Sequence, residues 1–434
     1  MVAMKVTRLN LANYRDARAL SIELNPNLNV FVGVNGSGKS TVLDAIAILL
    51  SWAVNRIISS GASGRPIAES DITNGKATSS IQLLCEAEDR TIEWKLFKVR
   101  RGRAASEGKS KLQELNYYAK GIQSRISETS GKVNLPLFVY YPVNRAVVDI
   151  PLKIRGKHRF DLLATYDDAL RSGANFRTFF EWFREREDLE NEIMVSRNQQ
   201  CKLPEPDTPV IYQVPDPQLN AVRSALTAFL QGFSDFTIRR SPLRMEVKKN
   251  GKRLTVNQLS GGELILIAMI GDLARRMAIA NSESTKPLEG SGIVLIDEID
   301  LHLHPRWQRI IVHKLLEVFP NCQFIISTHS PHVITHVQPE SLFLLEQTDS
   351  GIVARKPNES YGKNVDRVLE DLMGLETTRP DEVASDLHSI FETIDAGKLK
   401  EAQKMIAELE QKIGYDPELV KAGVLIKRRE LIGK

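Results

Sequence analysis

Only three cysteines, Cys85, Cys201 and Cys322, occur in the 434 residues. No pair of them has the spacing of a metal-binding or CxxC motif. An odd, scattered set builds no disulfide scaffold, so the composition fits a reducing, cytoplasmic compartment. No run of about eighteen apolar residues is present, so no stretch reads as a membrane-spanning helix. The opening Met1-Val2-Ala3-Met4-Lys5 leads directly into a strand pattern rather than a leader peptide. Charge of one sign is also scarce. The net charge is only +4, so bulk charge does not argue for nucleic acid, and only local basic clusters make that case. No heptad run supports a long coiled coil. What remains is ordinary globular composition, 42% hydrophobic and 26% charged, with length for a large core and two or three domains.

Residues 33–41, reading GVNGSGKST, organise the rest. They fit G-x-x-x-x-G-K-[ST], with Gly33, Gly38, Lys39 and Ser40 in register. The preceding Leu28-Asn29-Val30-Phe31-Val32 has the character of a strand, and an apolar helix pattern follows from Val42. Strand, glycine loop and helix together make a phosphate cradle from Gly33, Asn35, Gly36, Ser37, Gly38, Lys39, Ser40 and Thr41. Glycines let backbone N–H groups turn inward, and a helix N-terminus adds positive potential. In this reading Lys39 reaches the β- and γ-phosphates of ATP, and Ser40 binds Mg²⁺.

Three further stretches complete a constellation. Ile293-Val294-Leu295-Ile296 is an apolar strand ending in Asp297-Glu298. That order supplies a carboxylate for Mg²⁺ and a base for the attacking water. Leu259-Ser260-Gly261-Gly262-Glu263 opens an apolar helix and reads as an ABC-type signature. Ser260, Gly261 and Gly262 there offer a second phosphate site at a helix N-terminus. Phe324-Ile325-Ile326-Ser327-Thr328-His329 is a strand ending in a histidine placed to sense the γ-phosphate. Between them, Asp300-Leu301-His302-Leu303-His304-Pro305 admits a metal site but fits better as a D-loop, with Asp300 as its reporter.

Basic clusters occur at Lys98, Arg100, Arg101, Arg103, Lys109 and Lys111, at residues 153–159, and on a hairpin around Asn250-Gly251 carrying Arg239, Arg240, Arg244, Lys248, Lys249, Lys252 and Arg253. Each reads as a solvated face or as a nucleic-acid contact. Phe176, Phe179, Phe180, Trp182 and Phe183 recur at helical spacing, as core packing or a base-stacking platform. Residues 203–217 are proline-rich and read as a linker. Asp416-Pro417 suits the start of a last helix. The expected fold is α/β: a P-loop ABC-type ATPase head, a mixed sheet flanked by helices. Residues 1–145 form its N-terminal lobe, 146–235 an inserted helical lobe, 236–360 its C-terminal lobe and 361–434 a C-terminal helical domain.

These motifs resemble the RecF/SMC/Rad50-type ABC ATPases, in the branch that includes the overcoming-lysogenisation-defect ATPases. Asn13-Tyr14-Arg15 is similar to that group's N-terminal N-F-R segment, which implies that Arg15 lies near the nucleotide. The segments IDEIDLHLHP and STHSPHVI match that branch, and YYPVNRAVVDIPLKIR and FFEWFREREDLENE resemble bacterial proteins labelled predicted ATP-binding proteins involved in virulence. Those in turn resemble the ATPase subunits of Septu-type and retron-associated anti-phage systems. The resemblance implies a homodimer that sandwiches two ATP molecules, each signature completing the other chain's site. It also implies Glu298, His329 and Lys39 as the hydrolytic residues, and a separate HNH nuclease as effector. A DNA-repair ATPase, a barely hydrolysing ATP sensor and a transporter subunit are the alternatives; the long insertion and the C-terminal helices disfavour the last. The superfamily's Q-loop glutamine is missing, and Asn144 stands near its place as a weak substitute. No acidic metal cluster of a TOPRIM nuclease follows His329, so no nuclease activity is expected in this chain.

Overall fold

The computed structural model describes residues 4–88, 90–103, 108–143, 160–171, 175–200 and 216–432. Asn144, the basic segment 153–159, most of the proline-rich stretch and residues 104–107 of the first basic loop lie outside them. In chain order the strands are β1 (Met4–Tyr14), β2 (Ala17–Glu23), β3 (Leu28–Val32), β4 (Thr78–Ala87), β5 (Arg90–Val99), β6 (Leu137–Tyr141), β7 (Phe233–Arg240), β8 (Leu243–Lys249), β9 (Lys252–Thr255), β10 (Gly292–Ile296), β11 (Cys322–Thr328), β12 (Leu342–Thr348) and β13 (Gly351–Arg355). The helices are α1 (Lys39–Ile58), α2 (Gln113–Glu128), α3 (Phe176–Gln200), α4 (Pro217–Phe229), α5 (Gly261–Ala280), α6 (Pro305–Gln308), α7 (Ile311–Val318), α8 (Pro331–Ile334), α9 (Val365–Asp371), α10 (Asp381–Asp395), α11 (Leu399–Ile413) and α12 (Pro417–Ile432).

A six-stranded sheet in the order β13-β12-β3-β11-β10-β6 forms the centre. It is parallel from β12 to β6, with β13 antiparallel at one edge. Strands β3, β6, β10 and β11 are buried at every position, which is why they read as continuous apolar runs rather than alternating ones. An antiparallel sheet, β2-β1-β4-β5, packs over α1. Its strands alternate, because one face meets the core and the other meets solvent. The core runs from Leu9, Leu83 and Trp94 through Leu43, Ile46 and Leu50 of α1 to Phe138, Leu295 and Ile325 of the central sheet. Among the described residues α1 is the one helix long and apolar enough to cross a membrane, and most of it is buried in this core.

Helix α5 packs against β6, with α3 and α4 against α5 in turn. The aromatic stripe lies here. Phe176, Phe179, Phe180, Trp182 and Phe183 are all essentially inaccessible, so it is core packing with no face left for a base. The third sheet, β7-β8-β9, leads into the signature. Its β8–β9 pairing closes at Asn250-Gly251, where both residues have positive φ, as a type I′ hairpin turn requires.

Residues up to Lys363 form one compact unit and Asn364–Lys434 a second. The second unit is a small helical bundle. Leu387, Ile390 and Ile394 of α10 meet Ala402 and Leu409 of α11 and Leu419, Ala422 and Ile426 of α12. Arg379 grips Asp416 through both guanidinium nitrogens, at 2.7 and 3.2 Å, fixing the turn that starts α12.

Candidate nucleotide site

The register of the parallel strands places the sequence motifs at one edge. Thr328 of β11 pairs with Val32 of β3, and Ile296 of β10 pairs with both Ile326 and Tyr141. The loop 33–38, Asp297-Glu298, His329 and the residues after β6 therefore all leave the carboxyl ends of adjacent strands, where open parallel sheets bind ligands.

The loop is built for a phosphate. Gly38 caps α1 with φ 100°, a conformation that favours glycine, and a Cβ there would press on Ile352 Cδ1 at 2.3 Å. Val34, Asn35, Gly36 and Ser40 are exposed, whereas Ser37, Lys39 and Thr41 are buried. Ser37 Oγ is buried with no hydrogen-bond partner. Lys39 Nζ donates to Gly33 O at 2.8 Å and Val34 O at 3.1 Å. Burial lowers its pKa to about 8, against the opposing pull of Glu298, Asp297 and Asp300. A desolvated ammonium with only carbonyls as direct partners is short of counter-charge, which a polyphosphate supplies.

The two acids after β10 are held differently. Asp297 is 2% exposed; Ser327 Oγ–H donates to its Oδ1, and the Glu298 N–H donates back to Ser327 Oγ at 2.8 Å. Glu298 has φ 48°, a left-handed conformation that costs a non-glycine residue. Its carboxylate reaches His329, whose Nε2 lies 3.8 Å from Glu298 Oε1. Both side chains keep about a quarter of their surface open, 28% and 26%. Burial and the charge of Lys39 push the His329 pKa below its ordinary value, outweighing the nearby acids. Asp300 accepts from Thr328 Oγ1–H and, at 3.3 Å, from the His329 N–H. Gln308 ties the same turn together, donating to Asp300 O and Leu303 O and accepting from Ser330 Oγ. His304 Nδ1 accepts from the Arg306 N–H and caps α6. Among the described residues no three His, Cys, Asp or Glu side chains gather as metal ligands.

The signature is a preset helix start. Ser260 is the N-cap of α5; Glu263 Oε2 accepts its N–H at 2.9 Å, and Ser260 Oγ accepts the Glu263 N–H at 3.4 Å, a capping box. Lys249 Nζ donates to the other Glu263 oxygen at 2.6 Å. Burial would raise the Glu263 pKa, but the bonds from Lys249 and Ser260 hold it below the usual value. Ser260 and Gly261 face solvent. Gly262 is pressed onto the D-loop, where a Cβ would meet His302 O at 2.5 Å.

Arg15 sits at the β1–β2 turn with φ 50°. Its Nε donates to Asp71 Oδ1 at 2.9 Å and its Nη2 to Asp44 Oδ2 at 2.5 Å, while Arg65 holds the other Asp44 oxygen at 2.7 Å. Asp44 is one turn beyond Ser40 on α1, so it shares that face of the helix. Asp44, Arg65, Ser327, Thr328 and Gln308 escaped sequence reasoning. Only the polar ending of the β11 run, Ser327-Thr328, carried a signal that could have been used.

Taken together, the parallel sheet, the glycine cradle, the paired acids and the capped signature define a P-loop ATPase head of the ABC type. The chain belongs to the family described as "AAA domain, putative AbiEii toxin, Type IV TA system", whose pattern matches residues 28–335. It is 30% identical to the Retron Ec83 probable ATPase of Escherichia coli, over 98% of this chain and 87% of the relative. It is 31% identical to the Retron Vc95 probable ATPase of Vibrio cholerae serotype O1 biovar El Tor, over 84% and 78%. The Septu protein PtuA of Bacillus thuringiensis is 24% identical over 86% of this chain and 85% of its own length.

The cradle and donor set fit a nucleotide with its metal. A buried lysine, an unpartnered Ser37 hydroxyl and a loop turned by glycines at positive φ match a polyphosphate. Ser40 and Asp297 are the hydroxyl and carboxylate that would hold Mg²⁺, a hard cation bound through one or two protein oxygens. When bound it would supply positive charge to the phosphate oxygens.

Proposed function

We propose that this chain hydrolyses Mg-ATP in a pair of heads that close on two nucleotides, and that its ATP state controls a separate effector, an HNH-type nuclease, in cytoplasmic anti-phage defence. The observation that carries the reading is the convergence of Lys39, Glu298 and His329 at one sheet edge while Ser260 and Gly261 stand open to solvent. The first group is what in-line attack on a γ-phosphate requires: a cation, a base and a polar contact to the transferred phosphoryl group, with ADP leaving. The second is a solvent-facing helix N-terminus of the kind that binds phosphate. In this reading Glu298 takes the water proton, Lys39 and Asn35–Ser40 hold the triphosphate, and His329 contacts the γ-phosphate. Arg15 and Asn144 complete the nucleotide contacts. The names of the retron and Septu relatives support the defence role.

The test is Glu298→Gln. Turnover should fall by at least about 100-fold, the scale of general-base catalysis, while an ATP-bound dimer accumulates in light scattering. Unchanged turnover sinks the base assignment. Purification with the neighbouring gene product, with and without ATP, tests the effector. A neighbour that is not a nuclease, or one whose association ignores ATP, refutes the switch without touching the ATPase reading.

A further inference from the structure

The basic hairpin is divided by the structure in a way its composition hides. Strand register puts Arg239 opposite Arg244, Thr237 and Thr255 opposite Glu246, and Lys248 opposite Arg253. Directly paired residues share a face, as do alternate residues along a strand. One face of the three-stranded sheet therefore carries Arg239, Arg244, Lys248 and Arg253. The other carries Ile238, Met245 and Val247, which are buried. Three cations of the run, Arg240, Lys249 and Lys252, belong to the inner side, and the first two are used up there. Arg240 binds Glu187 and Asp188 of α3, and Lys249 binds Glu263.

The outer cations are not neutralised in this way. Arg239, Arg244 and Arg253 all lean on the single carboxylate of Glu246, at 3.1, 2.7 and 3.6 Å, with 52%, 34% and 54% of their side chains exposed. Lys248 meets only Asp235, at 3.8 Å, with both side chains about half exposed. The Glu246 carboxylate lies buried beneath the three arginines, whose outer ends stay open to solvent anions, and the open Lys248–Asp235 pair exchanges readily for other anions. Four cations against two carboxylates leave the face positive. The pair Arg239/Arg244 and the pair Lys248/Arg253 stand about 13 Å apart, four residues along β8. Glu246, flanked by Thr237 and Thr255, lies between them. The face has no aromatic side chain, so it lacks the stacking platform by which single strands are held.

We propose that this sheet face binds the phosphate backbone of a nucleic-acid duplex. Contact is through Arg239, Arg244, Lys248 and Arg253, without reading sequence. Four phosphate contacts give a salt slope of about −3.6, or roughly 150-fold weaker binding between about 50 and 200 mM salt.

The experiment is fluorescence anisotropy of the full chain with a short labelled DNA duplex. The matching RNA duplex and the single DNA strand serve as comparison arms. The double variant Arg244→Gln/Arg253→Gln should bind at least tenfold more weakly, with a slope shallower by about 1.8. Lys404→Gln, an exposed cation in the C-terminal unit, should change nothing. Glu246→Gln should bind several-fold more tightly, a gain that misfolding cannot imitate. Wild-type binding in the double variant, weaker binding by Glu246→Gln, or a preference for the single strand overturns the proposal. The two duplex arms decide between DNA and RNA. None of these readouts involves ATP, so failure here leaves the ATPase reading intact, and the reverse also holds.

Discussion

Asp272 is a point at which stability can be tested with little ambiguity. It lies on the signature helix α5, fully buried, with Arg275 at 2.7 Å on one oxygen, Arg276 at 2.7 Å on the other, and Tyr141 Oη donating at 3.0 Å. Arg276 also donates to Thr165 O and Asp167 O. The cluster thus pins α5 to the end of β6, whose Tyr141 carbonyl accepts the Asp297 N–H at 2.8 Å. Removing one partner of a buried pair costs about 3–5 kcal/mol, because the other charge is stranded. Asp272→Asn strands two guanidiniums, so that range is a lower bound, against a total stability of about 5–15 kcal/mol. Tyr141→Phe removes one bond to a carboxylate that keeps both arginines, and should cost about 1.5–3 kcal/mol. Urea unfolding followed by tryptophan fluorescence reads the head alone, because Trp52, Trp94, Trp182 and Trp307 all precede residue 364. With a slope near 3 kcal/mol/M, the Asp272→Asn midpoint should fall by more than about 1 M. The pH dependence has a definite sign. Burial would raise the Asp272 pKa, but Arg276 and Arg275 outweigh it and hold the carboxyl below its ordinary value. Its contribution is therefore present above about pH 4 and disappears as pH falls through the lower folded value. The wild-type and Asp272→Asn curves should converge toward acid. A cost below about 1 kcal/mol, or smaller than that of Tyr141→Phe, would refute the account of a stranded charge.

Three further outcomes are expected. Gly38→Ala places a methyl against Ile352 in a left-handed conformation, costing about 1–2 kcal/mol for the backbone alone. Calorimetric titration should show ATP binding weakened by more than tenfold. Ser327→Ala takes the shared hydroxyl from Asp297 and Glu298 and should slow steady-state phosphate release by about 10- to 100-fold, as loss of an orienting partner does. Burial and Lys39 depress the His329 pKa, so folding favours the neutral ring. The stability it confers is lost as pH falls from about 6.5 toward the lower folded value, and His329→Gln should remove that part of the pH–stability curve. A ring titrating at or above 6.5 by NMR would contradict the burial argument.

The parts of the site that could be read from sequence are those in which chemistry and chain order coincide. Residues 28–41, 293–298 and 324–329 are each a strand with its functional turn attached, and strand, turn and functional side chain need only neighbouring residues to be recognised. The continuous apolar character of β3, β10 and β11 follows from burial on both faces, so it announces a parallel sheet as well. What could not be read was pairing across the chain. Arg15 and Asp44 are 29 residues apart, Tyr141 and Asp272 are 131 apart, and Arg275 and Arg276 give no hint in sequence that they are buried. A guanidinium on an apolar helix looks the same whether it finds solvent or a carboxylate. The basic hairpin is an intermediate case. Its alternation separates Arg244 and Lys248 from Met245 and Val247, but which arginines find acids depends on α3, a helix some fifty residues earlier.

The arrangement of short contacts also bears on how a phosphate at the signature would be felt elsewhere in the same chain. Gly262, beside Ser260, has no room for a Cβ because His302 O occupies it. His302 is two residues beyond Asp300, whose carboxylate takes the Thr328 hydroxyl and the His329 N–H. The signature turn, the D-loop and the histidine turn are thus in direct van der Waals or hydrogen-bond contact, with Gln308 bridging the last two. Because the Gly262 backbone lies against the His302 carbonyl, a shift of the signature turn toward an anion would be felt at His302. Through Asp300 the same displacement reaches the group facing Glu298. Linkage makes the effect mutual: whatever occupancy beside His329 does to the affinity at Ser260, occupancy at Ser260 does by the same factor in return. Gly262→Ala is then more than a local clash. By pushing on His302 it should alter binding at Lys39, a residue it does not touch, and a nucleotide affinity unchanged in a folded Gly262→Ala variant would show that the two turns are mechanically independent.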